Sequence, residues 1–129
     1  MPSPVVHFEI ATKDPDALTA FFRDAFDWTI AGTHAGTGEG DIPKYIVLRP
    51  TGEEEPNIGI NGGVGGVPQG YDGHVTFYIA VDDIEAALQK VEQLGGTRIM
   101  GPEQVPGGPL IALFSDPQGH TIGLAKPDM

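Results

Sequence analysis

A chain of 129 residues with 18 acidic against 7 basic side chains carries a formal charge of −11, which repels phosphate backbones and anionic lipid and argues against nucleic acid or a membrane as partner. With no cysteine, disulfides, thiolate nucleophiles and cysteine-based zinc sites are excluded. The length suits one compact domain over residues 1–129; the start Met1-Pro2-Ser3-Pro4 is neither basic nor apolar and no apolar run reaches about 20 residues, so the expected location is the cytoplasm.

Taken in chain order, Val6-His7-Phe8-Glu9-Ile10 alternates as a strand, with Val6, Phe8 and Ile10 on one face and His7 and Glu9 on the other. Asp14-Pro15 offers an N-cap followed by proline at the first helical position, and Leu18, Phe21, Phe22, Ala25 and Phe26 follow at helical spacing to about Asp27-Trp28. Trp28, closing this helix, reads as a core or interface aromatic. The glycine-rich stretch from Gly32 to Asp41 predicts a loop, Tyr45 to Leu48 a strand, Glu53-Glu54-Glu55 a turn and Asn57 to Asn61 a second short strand. Residues 62–73 are mostly glycine, valine and small side chains broken by Pro68, which predicts a linker between halves. A phosphate cradle would need a helix directly after this loop, and a strand follows instead.

The second half repeats the pattern. His74, Thr76 and Tyr78 take one face of a strand and Val75, Phe77, Ile79 and Val81 the other. Asp82 or Asp83 caps a helix with the apolar stripe Ile84, Ala87, Leu88, Val91 and Leu94, ended by Gly95-Gly96. Strands are expected around Thr97 to Met100, Leu110 to Phe114 and Thr121 to Ala125, the last two joined by a tight reversal at Ser115-Asp116-Pro117-Gln118-Gly119-His120. The expected fold is α+β: two tandem β-α-β-β-β modules, about 5–61 and 74–126, forming curled mixed sheets with helices on the convex side. In this reading His7 and His74 occupy matching places, and each module closes on an Ile-Gly pair, Ile58-Gly59 or Ile122-Gly123.

The twofold β-α-β-β-β pattern, a histidine in each first strand and the hairpin Asp116-Pro117-Gln118-Gly119-His120-Thr121-Ile122 together resemble the vicinal oxygen chelate superfamily. That group includes glyoxalase I, bleomycin-resistance proteins, extradiol dioxygenases and methylmalonyl-CoA epimerases. His7-Phe8-Glu9-Ile10 and Ile60-Asn61-Gly62-Gly63 are most similar to its glyoxalase-like actinobacterial antigen subgroup. The resemblance implies two facing curled sheets around a small-molecule cavity lined by His7, Glu9, Asn61, His74, Thr76 and Tyr78. It also implies that Phe8, Ile10, Val75 and Phe77 pack against the helices, and that the protein pairs as a homodimer.

In metal-using members of the superfamily a ligand comes from the first and last strand of each module, positions that correspond here to His7, Gly59, His74 and Gly123. Glycine has no side chain to offer, whereas a catalytic metal normally takes about three protein ligands. Glu9 shares the face of His7, yet strand residues i and i+2 stand roughly 7 Å apart at their bases. Two readings follow. In the first the protein binds a small molecule without a complete metal site, and His7 and His74 hydrogen-bond within the cavity. In the second it is a divalent-metal-dependent lyase, isomerase or dioxygenase using His7 and His74, with Glu9 as a substitute ligand or as a general base.

Overall fold

The computed structural model describes residues 2–34, 44–49, 59–105 and 108–127. The elements in chain order are β1 (Val5–Thr12), α1 (Pro15–Phe26), β2 (Thr29–His34), β3 (Tyr45–Arg49), β4 (Gly62–Gly66), β5 (His74–Ala80), α2 (Ile84–Gln93), β6 (Thr97–Gln104), β7 (Leu110–Ser115) and β8 (Thr121–Lys126). The chain is α+β and the β-α-β-β-β order occurs twice, as expected. It divides into two compact units, His7–Val75 and Met1–Val6 with Thr76–Met129.

In the His7–Val75 unit the strands run β2-β3-β4-β1, with β1 parallel to β4 and the other neighbours antiparallel. In the other unit β5, β8, β7 and β6 repeat that arrangement, β5 being parallel to β8. Both helices are capped as the sequence requires: Asp14 accepts from the Ala17 amide and Asp83 from the Ala86 amide, each at 3.0 Å. Gly95 ends α2 at φ 102°, a left-handed backbone that glycine adopts without steric cost. The Ser115–His120 reversal is present, with Asp116 accepting from the amides of Gln118 and His120. No helix among the described residues is long and apolar enough to cross a membrane.

Each unit buries its own apolar cluster. Ile46, Leu48 and Val64, with Phe8, Ile10, Leu18 and Trp28 against them, form the first; Ile84, Leu88, Ala112, Phe114 and Leu124, joined by Ile79, Val81 and Ile122, form the second. Phe8 and Ile10 thus pack with helix α1 as expected. Val75 and Phe77 do not pack on α2: they are 78% and 39% exposed. The reason is that the ten-residue α2 lies across β6, β7 and β8, so the first half of β5 extends beyond its cover. In α1 the buried side is likewise narrower than the apolar stripe, because Phe22 stacks on Trp28 while Phe21 and Phe26 are exposed.

Two boundaries need correction. Gly62–Gly66, expected as linker, is strand β4, buried along most of its length. Its glycines carry no side chains, so a composition that reads as loop instead lets neighbouring rings lie directly on the backbone. Gly32 to His34, expected as loop, is the end of β2; the rest of that stretch, residues 35–41, lies outside the described residues. So do the Glu53–Glu55 turn and positions 57–58 of the expected Asn57–Asn61 strand, while Gly59 to Asn61 belong to no strand.

Candidate functional site

Alternation along β1 turns Phe8 and Ile10 into the core and His7 and Glu9 to the opposite face. On β3 the same parity sends Ile46 and Leu48 inward and Tyr45 to the side of His7. Between them runs β4, where Glu9 pairs with Gly63 and Tyr45 with Gly65. A Cβ built on Gly63 would fall on the Tyr45 ring, and one on Gly65 would stand 2.8 Å from the same ring. The glycines of β4 therefore admit Tyr45 across the strand toward β1.

The result is a continuous network inside the His7–Val75 unit. The Tyr45 hydroxyl lies 2.8 Å from His7 Nε2 and also hydrogen-bonds Glu9. Glu9 Oε2 lies 2.8 Å from His74 Nε2, and His74 Nδ1 lies 2.6 Å from the Tyr71 hydroxyl. The Glu9 and His74 side chains are only 14% and 13% exposed, whereas Tyr71 reaches solvent. Carboxylate, two imidazoles and two phenols are thus linked in the order His7, Tyr45, Glu9, His74, Tyr71.

Protonation follows from this order. Burial, with the charge and hydrogen bond of Glu9 adding to it, raises the Tyr45 phenol well above its ordinary value, so Tyr45 keeps its proton. Burial lowers His7 from its ordinary value, against the opposing charge of Glu9, so His7 is neutral near pH 7. A carboxylate only accepts, so Tyr45 and His74 both donate to Glu9. The phenol proton being committed there, His7 Nε2–H donates to the Tyr45 oxygen, which assigns its tautomer and leaves the lone pair on Nδ1.

The helix caps correct the internal alignment. Asp14 and Asp83 hold equivalent capping positions 69 residues apart, whereas His7 and His74 are 67 apart. The equivalent of His7 is therefore Thr76, and that of Glu9 is Tyr78. The strand ladders agree: Glu9 pairs with Gly63 as Tyr78 pairs with Gly123. His7 and His74 do not hold matching positions, and Gly63 rather than Gly59 is the counterpart of Gly123. Matching by histidine slips by two residues, which keeps strand parity, and matching by Ile-Gly pairs slips by four, because Gly59 lies outside any strand.

The second unit treats the equivalent positions differently. Thr76 and Tyr78 are 7% and 6% exposed; the Thr76 hydroxyl donates to the Thr121 carbonyl, and the Tyr78 ring lies where a Cβ on Gly123 would stand. In both units, then, a tyrosine covers the glycine of the last strand. Asn61 adds one further feature to the first unit: its carbonyl Oδ1 is buried without a hydrogen-bond partner among the described residues.

A divalent metal does not fit this arrangement. Among the described residues no three His, Asp or Glu side chains are grouped to hold an ion. His7 and Glu9 converge on the Tyr45 hydroxyl, and both ring nitrogens of His74 are engaged by Glu9 and Tyr71. Tyr45 and Tyr71 were not singled out from the sequence. The available signal for Tyr45 was its parity: a tyrosine alternating with core residues Ile46 and Leu48, beside a strand without side chains.

The family model of the Glyoxalase/Bleomycin resistance protein/Dioxygenase superfamily matches residues 5–124. The chain is 31% identical over 119 residues to the Mycobacterium bovis protein called "Putative glyoxylase CFP32", covering 92% of this chain and 42% of that protein. It is 28% identical over 122 residues to "Anthracycline biosynthesis protein DnrV" of Streptomyces peucetius, covering 91% of this chain and 44% of that protein. The chain thus spans less than half the length of these curated relatives. A crystal structure of methylmalonyl-CoA epimerase superposes with a TM-score of 0.71 at 16% identity, over 100% of this chain and 99% of that one, a likeness of fold.

Proposed function

We propose, from the premise that the chain belongs to the glyoxalase/bleomycin resistance protein/dioxygenase superfamily, that it binds a small molecule on the polar face of the His7–Val75 unit without using a metal. The observation that carries this reading is the commitment of His7 and Glu9 to the Tyr45 hydroxyl. Ligands that would otherwise surround an ion instead hold one another, and the face they build is a fixed set of hydrogen-bonding groups. Asn61 Oδ1, buried and unpartnered among the described residues, supplies an acceptor whose desolvation a ligand N–H or O–H would offset. The net charge of −11 favours a neutral or cationic ligand over an anionic one. In this reading the protein works in the cytoplasm as a homodimer; a monomer mass at micromolar concentration contradicts the pairing.

The test is a calorimetric ligand screen run in parallel with and without a chelator. Ligands should bind with unchanged affinity in the chelator, and Asn61→Ala should weaken them at least tenfold while leaving the circular dichroism spectrum intact. Binding that disappears with the chelator and returns with zinc or nickel rules the reading out.

A further inference from the structure

The solvent end of the hydrogen-bond network is built differently from its His7 end. Glu9 Oε2 lies 2.8 Å from His74 Nε2, and His74 Nδ1 lies 2.6 Å from the Tyr71 hydroxyl. A carboxylate only accepts, so Nε2 carries a proton, and Nδ1 of the neutral imidazole presents its lone pair to the Tyr71 O–H. Carboxylate, imidazole and hydroxyl thus stand in series within the His7–Val75 unit, the first two nearly covered and the third 39% exposed. We infer that Tyr71, His74 and Glu9 form a nucleophilic triad, with the Tyr71 hydroxyl as a site of acyl transfer from activated, uncharged esters.

The backbone fixes the pair. The Tyr71 amide donates to the Pro68 carbonyl at 3.2 Å, and Gly73 follows at φ 109°, where a Cβ would fall on the Ala11 carbonyl oxygen. Only glycine fits that position, and the reversal sets the Tyr71 and His74 rings edge to face with centroids 5.7 Å apart. A hydroxyl within hydrogen-bond reach of a base that a third group orients is the arrangement that activates a nucleophile. Phenols and imidazolium ions ordinarily titrate at about pH 10 and about pH 6.5, so the proton passes to Nδ1 as the oxygen attacks rather than beforehand. The Tyr71 oxygen bonds to the ester carbonyl carbon, the bond to the leaving oxygen breaks with its electron pair, and the proton on Nδ1 goes to that oxygen. Water, giving its proton to the same Nδ1, then cleaves the acyl-tyrosine, releasing the acid and restoring the hydroxyl. Glu9 touches no reacting atom; as a positioning residue it fixes the tautomer and offsets the charge of the imidazolium that forms. The net charge of −11 favours an uncharged ester over an anionic one.

Acyl transfer at Tyr71 goes beyond ligand binding, and its failure leaves the metal-independent reading standing. The test is p-nitrophenyl acetate in the presence of EDTA, followed by absorbance and by peptide mass spectrometry. Wild type should release a burst of p-nitrophenol and carry the acetyl group on Tyr71, acquired at least roughly 10-fold faster than by N-acetyltyrosinamide at the same pH. Tyr71→Phe should lose the burst. His74→Gln should slow Tyr71 labelling at least roughly 10-fold and move its rise to higher pH, and Glu9→Gln should shift the profile in the same direction. Labelling of wild-type Tyr71 no faster than that of N-acetyltyrosinamide overturns the triad, whatever the variants do. A burst that survives Tyr71→Phe, or a rate and pH profile unmoved in folded His74→Gln, overturns it as well.

Discussion

The two modules share an order of elements, a parallel pairing of first and last strand, an aspartate cap and a tyrosine set over a glycine, yet their polar faces differ in kind. Where the first carries the imidazole of His7 and the carboxylate of Glu9, the equivalent positions of the second are Thr76 and Tyr78. One module carries an imidazole and a carboxylate at these positions; the other satisfies a hydroxyl locally, Thr76 on Thr121. Shared architecture therefore says little about shared chemistry. His74 opens β5 of the second repeat, yet it lies with His7 in the compact His7–Val75 unit.

Changes that strike the common architecture should weigh equally on both modules. Leu48 and Leu88 are each 0% exposed in their clusters, and each replaced by alanine should cost about 2–5 kcal/mol in urea denaturation; a cost confined to one would break the equivalence. Gly63→Ala and Gly123→Ala each press a methyl group onto a tyrosine ring and should cost about 1–3 kcal/mol. Gly32→Ala, whose Cβ meets nothing within 4 Å, serves as the neutral control. Thr76→Val, which leaves the Thr121 carbonyl without its donor, should cost about 1 kcal/mol.

The smallest effect separates the modules by pH. Burial lowers the proton affinity of His7 while the Glu9 charge opposes it. A histidine shifted downward supports the folded state fully above its ordinary value of 6.5, and that support is lost as pH falls below it, because the unfolded chain takes up the proton first. Wild type should lose stability more steeply than His7→Gln on going from about pH 7.5 to about pH 5.5. Identical slopes would remove His7 from the account.

Local rules made much of this legible in the sequence. Asp14-Pro15 and Asp83 announced the helices through capping chemistry, Phe8 and Ile10 announced the first core through parity, and Asp116 with Gly119 announced the hairpin. The failures have a common cause, in that they depend on what lies across a strand. Gly62 to Gly66 resembled a linker because glycine lowers strand propensity, and only Tyr45 and Phe8 lying over it give those glycines a reason to be in a sheet. Val75 and Phe77 alternated correctly but lie outside the reach of α2. His7 and His74 look equivalent in the sequence because an even slip keeps every side chain on its face. Tyr71, brought to His74 across a turn, had no periodicity to mark it.

His7, Glu9 and His74 hold one another through Tyr45 and direct hydrogen bonds, and the proposed metal-independent function rests on that commitment. Elemental analysis of protein purified without an affinity tag, beside His7→Ala and His74→Ala, addresses it directly. The account predicts well under one equivalent of any transition metal in all three proteins. A full equivalent in wild type that is absent from both variants would contradict it.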